Sequence, residues 1–139
     1  MSEEEVMKNL SVIEYYKEQL SYIDAQLQYL QAMIEDNLKS RMTLEQLKKN
    51  QDVSETLVPI GTGVFIHASL KDTSKALIDI GAGVVAEKNI DEAIQKIDKR
   101  IEEIQRNQER LYSMSDRIQQ ETEDLSAKTQ RMIEDLKKK

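Results

Sequence analysis

Apolar residues recur at seven-residue intervals over the first fifty residues of the chain. The two ladders of this pattern, offset by three positions, are Val6, Ile13, Leu20, Leu27 and Ile34, and Tyr16, Ile23 and Leu30. Two such ladders form the seam of a coiled coil. No Gly or Pro interrupts residues 2–50, so the pattern predicts one helix over about residues 3–50, with a shifted apolar face beyond Ile34.

A second heptad pattern fills the last fifty residues. Its unbroken ladder is Ile90, Ile97, Ile104, Leu111, Ile118, Leu125 and Met132. Its companion ladder is apolar at the start and the end but polar between, in the order Ile94, Ile101, Gln108, Ser115, Thr122, Thr129 and Leu136. Asn89 has the position of an N-cap, with Glu92 three residues on. The pattern predicts a second helix over about residues 89–138.

The two predicted helices have nearly equal lengths, which favours pairing between them. In an antiparallel hairpin, residue i lies opposite about residue 139 − i, so Ile23 is expected near Asp116 and Leu10 near Thr129. The alternative is that each helix pairs with a helix of another chain. We expect a single domain over residues 1–139.

An eight-residue repeat separates the helices, LVPIGTGV at 57–64 and LIDIGAGV at 77–84. The repeat holds all four glycines of the chain, which are Gly61, Gly63, Gly81 and Gly83. Residues that favour β-strands flank these glycines, and glycine is the residue that adopts positive φ in a tight reversal. Each copy therefore predicts a β-hairpin, and the pair spans about residues 56–88. A nucleotide site is disfavoured, because the repeat lacks both the third glycine of a dinucleotide fingerprint and the Gly-Lys-Ser/Thr of a phosphate loop.

The two hairpins carry more apolar residues than one thin chain can cover. These residues are Leu57, Ile60, Val64, Phe65, Ile66, Leu77, Ile78, Ile80 and Val84, which we call the hub residues. Four short strands also have open edges. Closed barrels have no edges. The fold class is therefore predicted to be mostly α, an antiparallel two-helix coiled-coil hairpin whose two β-hairpins assemble with those of other chains into an oligomeric β-barrel hub.

Charge and composition narrow the class of protein. A third of the residues are charged, the net charge is −6, and there is no cysteine. Because the charges are mixed along the chain and form no basic face, nucleic-acid binding is not expected. The chain has neither the basic start of a signal peptide nor an apolar run long enough for a membrane span. We expect a soluble, cytoplasmic protein with no membrane association.

Candidate chemistry is sparse. His67 is the single histidine, and nothing in the sequence brings a serine and an acid to it. The acidic residues have the spacing of solvated helix faces rather than of metal clusters. We expect no catalytic residues, no metal and no cofactor. Tyr15, Tyr16, Tyr22 and Tyr29 are interpreted as packing residues of the first helix rather than as a binding platform.

The two chain ends, which pair in the predicted hairpin, remain apolar although the seam between them turns polar. We call the apolar positions there the tip residues: Val6, Met7, Leu10, Ile13, Leu125, Met132, Ile133 and Leu136. Each of them has an alternative role in completing the coiled coil. As a group they predict exposed apolar surface, which usually marks an interaction site, and several such ends on one hub could bind one non-native protein by avidity.

With its two helices and the paired repeats at 57–64 and 77–84, the chain resembles the α-type subunits of the prefoldin family over essentially its whole length. Two central hairpins are typical of α-type subunits, and the unsplit layout is similar to the archaeal form. The resemblance implies a hexamer of two α and four β subunits, an ATP-independent molecular chaperone. It also implies that unfolded client proteins bind at the coiled-coil tips and pass to a group II chaperonin.

Two other functions stay open on the sequence. One is a structural coiled-coil spacer or tether that does not bind unfolded chains. Polar tips in which the two helices remain fully paired would favour this function. The other is an RNA-binding coiled-coil arm, which the acidic and evenly mixed charge disfavours.

Overall fold

A computed structural model of the chain describes residues 3–50 and 55–138. Its elements in chain order are α1 (Glu3–Lys49), β1 (Glu55–Gly61), β2 (Val64–Ser69), β3 (Lys75–Gly81), β4 (Val84–Asn89) and α2 (Ile90–Lys137). Two long helices with two hairpins between them are the predicted arrangement, and the prediction is confirmed. The chain divides into two compact units, a helical unit of residues 1–33 and 104–139 and a hairpin unit of residues 34–103. That all 139 residues form a single domain stays a prediction.

In the helical unit, α1 and α2 pair antiparallel. Asn9 Nδ2 donates a hydrogen bond to Sδ of Met132 at 3.7 Å, and Gln108 Nε2 donates to Oε1 of Gln31 at 3.1 Å. These pairs sum to 141 and 139, so the predicted register holds here. The buried apolar residues of this unit are the heptad positions Val6, Ile13, Ile23, Ile104, Ile118 and Met132.

The polar half of the α2 seam also faces inward in the helical unit. Thr129 is the most buried member, at 2% exposure, and its hydroxyl has no hydrogen-bond partner among the described residues. Thr122, one heptad earlier, is half-buried, but its hydroxyl donates to the carbonyl of Ile118 at 2.7 Å. The helices thus pack closely around Thr129, but its hydroxyl is buried without a hydrogen bond. A buried unsatisfied hydroxyl lowers the stability of the folded state.

In the hairpin unit, taken by itself, two ion pairs between α1 and α2 also fit the predicted register. Arg41 Nε lies 2.7 Å from Oδ1 of Asp98, and Lys48 Nζ lies 2.6 Å from Oδ1 of Asp91. Both pairs sum to 139. They are partly exposed ion pairs, so each contributes little to stability and chiefly marks the register.

The start of α2 has the predicted cap. The backbone N–H of Glu92 donates to Oδ1 of Asn89 at 2.8 Å, and Nδ2 of Asn89 donates to Oε1 of Glu92 at 2.9 Å. A side-chain acceptor at this position satisfies one of the backbone N–H groups that a helix start leaves unpaired. The cap fixes the point at which β4 gives way to helix.

Each hairpin is a separate two-stranded antiparallel sheet, β1 with β2 and β3 with β4. Leu57 pairs with His67 in the first, and Leu77 pairs with Glu87 in the second. A register irregularity precedes each turn, because Pro59 and Asp79 pair regularly while Gly61 and Gly81 pair one position out of step. No closed barrel forms among the described strands of the single chain.

The two turns differ, although the sequence repeats. In the first turn, Gly63 has φ +74° and the residues before it keep negative φ. In the second, Gly81, Ala82 and Gly83 have φ values of +115°, +52° and +75°. Positive φ at both central residues is the type I′ pattern, which matches the twist of a hairpin.

The second turn has a side-chain hydrogen bond that has no counterpart at the matching position of the first. Oδ1 of Asp79 accepts a hydrogen bond from the backbone N–H of Gly81 at 2.8 Å. The matching position in the first repeat is Pro59, whose side chain has no acceptor. The Asp79 carboxylate therefore holds the Gly81 backbone in a conformation that Gly61 does not adopt.

Candidate functional site

The hub residues form an exposed apolar surface on the two hairpins. Eight of the nine are exposed, and Leu77, at 73%, is the most exposed of them; the others are Leu57, Ile60, Val64, Phe65, Ile66, Ile80 and Val84. Val58 and Val85 add to the same surface. Large exposed apolar patches mark interaction sites.

The ninth hub residue, Ile78, is buried. It lines a groove of the hairpin unit together with Leu44 of α1 and Ala93 and Ile97 of α2. The second hairpin therefore has one apolar residue packed toward the helices, while every described residue of the first hairpin is exposed or half-buried. The chain by itself thus leaves most of the apolar surface of both hairpins exposed to solvent.

The structure divides the tip residues by exposure. Met7 is 67% exposed and Leu10 is 45% exposed. Val6, Ile13 and Met132 are buried in the seam. The remaining three are half-buried, namely Leu125, Ile133 and Leu136. A direct contact at these chain ends is therefore open to Met7 and Leu10, whereas the three buried residues become available only when the helices separate.

Few ionisable groups are perturbed. The pKa of Tyr16 is raised because its hydroxyl donates a hydrogen bond to the nearby Glu121 carboxylate, which also repels the phenolate. The pKa values of Arg41 and Lys48 are raised by their bonds to Asp98 and Asp91. These shifts belong to pairs that join the helices, and none of them lies in an enclosed cleft.

His67 lies on β2 and is exposed. Within the described residues, no group of three or more His, Cys, Asp or Glu side chains has the arrangement of a metal site. No helix in residues 3–50 or 55–138 has both the length and the hydropathy that crossing a membrane requires.

The interpretation of the tyrosines as packing residues is wrong for three of the four. Tyr16 is half-buried on the seam, but Tyr15, Tyr22 and Tyr29 are exposed. They fall two positions after the seam residues Ile13, Leu20 and Leu27, so they point to the flank of the coiled coil. The seven-residue spacing of Tyr15, Tyr22 and Tyr29 in the sequence could have identified this exposed position, because it places all three on a second face of α1 beside the seam.

Comparison with known proteins yields consistent matches. The prefoldin family model, described as prefoldin subunit, matches residues 16–135. The prefoldin subunit alpha of Archaeoglobus fulgidus is 34% identical over 99 residues, which cover 71% of this chain and 72% of the relative. The prefoldin subunit alpha of Methanococcoides burtonii is 37% identical over 78 residues, which span 56% of each chain.

A solved structure, the filamentous PFD from Methanocaldococcus jannaschii determined by cryo-EM, has the same fold. It superposes with a TM-score of 0.76 at 24% sequence identity, covering 85% of this chain and 98% of the other. At 24% identity this structural likeness is evidence for the fold alone. The evidence for the family comes from the family model and the sequence relatives.

Proposed function

Because the chain belongs to the prefoldin family, we propose that it is one subunit of a hetero-oligomer that captures unfolded proteins without ATP. As a member of the family it has a chaperone role. The function is binding rather than catalysis, it needs no cofactor, and its place is the cytoplasm. The observation that carries the proposal is the exposed apolar surface of the two hairpins, which a single chain leaves uncovered.

Partner subunits are the proposed cover for this surface. The matched relatives are named alpha subunits, and an alpha subunit implies a second kind of subunit. We place beta-type prefoldin subunits there, in the proportion of two alpha to four beta, with the hairpins pooled into β-barrels. Pooling satisfies the strand edges and removes the hub residues from water together.

Leu77→Lys tests the hub. In the isolated hairpin the new lysine lies opposite Glu87, an opposite-charge pair that preserves the strand pairing. In the assembly it places a charge in an apolar interface, so the complex is expected to dissociate. The control is Met42→Lys, at a similarly exposed site on α1 of the same unit, 65% against 73% for Leu77. Native mass spectrometry of the chain with its beta-type partner reads the outcome, and an intact complex with Leu77→Lys would contradict the hub assignment.

Client capture is proposed for the tip residues. Met7 and Leu10 offer apolar side chains directly, and Asn9 lies between them on α1 with its amide bonded to Met132. Because the buried Thr129 hydroxyl weakens the seam nearby, separation of the helix ends costs less there than in an apolar seam. Separation exposes further apolar positions, so weak contacts at several chains add up to affinity.

The test is suppression of aggregation by the assembled complex. A chemically denatured protein is diluted into buffer and its light scattering is followed with and without the complex. Met7→Ser combined with Leu10→Ser is expected to reduce suppression, whereas Leu38→Ser is expected not to. Leu38 is a close control because it occupies the same heptad position as Leu10, 28 residues later in α1, and is similarly exposed, at 47% against 45%.

Two outcomes separate the possibilities. If the wild-type complex does not suppress aggregation at all, capture is wrong and a spacer role is left. If the wild-type suppresses and the double variant equals it, capture stands and the tip assignment is wrong. Delivery of the captured protein to a group II chaperonin completes the proposal, and transfer of a labelled client between the two complexes tests it.

A further inference from the structure

A row of uncharged side chains runs along α1 beside the seam of the helical unit. We call it the tyrosine stripe, and its members are Tyr15, Gln19, Tyr22, Gln26 and Tyr29. Their spacing of four, three, four and three residues keeps them on one helix face. The three tyrosines are 56%, 66% and 68% exposed.

The stripe forms one wall of a groove between the two helices. One section of the groove is lined by Tyr15, Tyr22 and Ile23 of α1 and by Met114 of α2. The next section is lined by Tyr29, Leu30, Asn107 and Arg110. Gln26 and Leu111 line both sections, so the groove is continuous along the stripe.

The stripe is large and uncharged for an exposed helix face. A tyrosine has about 150–250 Å² of surface to bury, so three that are more than half exposed present on the order of 300–450 Å². That is the size of patch that marks interaction sites on soluble proteins. A third of the chain is charged, yet no charged residue belongs to the stripe.

We propose that the groove along the tyrosine stripe docks an amphipathic α-helix formed by a segment of a client protein. This inference rests on the proposed chaperone function, but it adds a second site, on the flank of the coiled coil, and a chemical class of ligand. The face of the docked helix toward the groove is apolar and uncharged.

The spacing of the groove selects a helix over an extended chain. Successive tyrosines lie seven residues apart on α1, which is about 10.5 Å at 1.5 Å per residue. A partner helix repeats its own side chains at the same interval, so it can pack as a third helix with knobs in the holes of the groove. On one face of an extended strand, side chains repeat about every 6.6–6.8 Å, which is out of step with the tyrosines.

Charge complementarity agrees with a helical occupant. Glu18 lines the groove section at Tyr15 and Tyr22, and Arg110 lines the section at Tyr29. A helix has a partial positive charge at its N-terminus and a partial negative charge at its C-terminus. A docked helix is therefore expected to run with its N-terminal end toward Glu18 and its C-terminal end toward Arg110.

The side chains of the groove suit varied client sequences. Tyrosine gives a large contact area with little loss of side-chain freedom, and amide side chains give adaptable hydrogen bonds. Gln19 Nε2 already donates to the Tyr15 hydroxyl at 2.8 Å, which steadies that ring. The flexible thioether of Met114 adds adaptable apolar surface on the opposite wall.

Two fluorescein-labelled peptides of 21 residues test the class of ligand. One has leucine at helical spacing between glutamine and alanine, and the other has the same composition with leucine at alternate positions. Fluorescence anisotropy with the assembled complex measures each Kd. The helical peptide is expected to bind at least about tenfold more tightly. Equal affinities would overturn the proposed preference for a helix.

Substitutions locate the site. Tyr15, Tyr22 and Tyr29 are changed together to Ser, and the helical peptide is expected to bind at least about tenfold more weakly. Tyr112→Ser is the matched control, because Tyr112 is 55% exposed in the same unit but lines neither groove section. All four positions are exposed, and circular dichroism checks that the helices persist. Unchanged binding by the triple variant would overturn the site.

A single charge gives a second, milder test. Gln26→Glu places a carboxylate in both sections of the groove and is expected to weaken binding of the apolar helical peptide, while the exposed Gln105→Glu is expected to leave it unchanged. Aggregation suppression by the wild-type complex separates the two levels of inference. If the wild-type fails there, the proposed function fails; if it succeeds and the groove variants bind peptide as the wild-type does, only the groove is wrong.

Discussion

Replacing Thr129 by valine should tighten the ends of the coiled coil. The threonine hydroxyl is buried at 2% exposure without a hydrogen-bond partner among the described residues. In the unfolded chain water satisfies it, so folding carries a desolvation cost of about 1–3 kcal/mol. Valine has the same branching and a similar helix propensity, which leaves the backbone almost unaffected. The substitution is therefore expected to stabilise the helical unit by about 1–3 kcal/mol.

Hydrogen exchange is the assay that resolves this effect. Opening of the helix ends exposes backbone amides, and 1.4 kcal/mol changes an equilibrium tenfold. Amides around Val6, Ile13 and Met132 are thus expected to exchange about 5- to 150-fold more slowly in Thr129→Val. Thermal unfolding of the whole complex is a poorer readout, because an oligomer does not unfold in two states.

Thr122→Val is the matched control. Thr122 occupies the same heptad position one repeat earlier, but its hydroxyl donates to the Ile118 carbonyl at 2.7 Å. Loss of a satisfied bond offsets the gain from an added methyl group, so exchange is expected to change little. Faster or unchanged exchange in Thr129→Val would show that its hydroxyl is satisfied in solution, and the reasoning would fail. If client capture requires the ends to separate, Thr129→Val should also suppress aggregation less well.

Three further predictions concern a hairpin turn, the start of α2 and the loop between the two hairpins. Gly81→Ala should cost about 1–3 kcal/mol, because φ +115° is strained for a residue with a side chain. Gly61→Ala is the control, because Gly61 has negative φ and no heavy atom within 4 Å of the added carbon. Hydrogen exchange of the strand amides compares the two variants, and only Gly81→Ala is expected to speed it. Asn89→Ala should cost about 1 kcal/mol by loss of the cap, seen as faster exchange in the first turn of α2. The bonds that Asp72 accepts from Ser74 hold the pKa of that carboxyl below its ordinary value of 3.8. The stabilisation from these hydrogen bonds is therefore full above about pH 4 and is lost as the pH falls further. The chemical shift of the Ser74 amide in an NMR titration reports this loss. Asp72→Asn is the control, in which the shift is expected not to change with pH.

Periodicity was sufficient to predict the helices, their pairing and the register. Equal lengths favour the partner, and Gln31 and Gln108 meet where the sum of 139 places them. Heptads fix the buried face of each helix up to Ile34. Beyond it the predicted shift of the apolar face is wrong at Leu38, which is exposed, while the regular seam positions Asn37 and Arg41 are half-buried. The cap at Asn89 was readable as well, because it depends on two side chains three residues apart.

Exposure and turn geometry were harder to predict. Tyr22 is 66% exposed, but the sequence does not show how far around the helix the buried seam extends. Because aromatic residues occur both in seams and on exposed flanks, the residue type does not decide between them. The two glycine repeats share one pattern, yet only in the second turn do three successive residues have positive φ and does a carboxylate, that of Asp79, accept from the Gly81 N–H. Such differences depend on individual residues in and beside the turn, which the hydrophobic pattern does not encode.

Each of the four described strands pairs along one edge only, so its outer edge is unpaired in the single chain. Such edges can template pairing between identical molecules, particularly beside apolar side chains. Newly translated copies in excess of their assembly partners are therefore expected to precipitate or be degraded. Balanced synthesis of the different subunits then becomes a requirement for the cell.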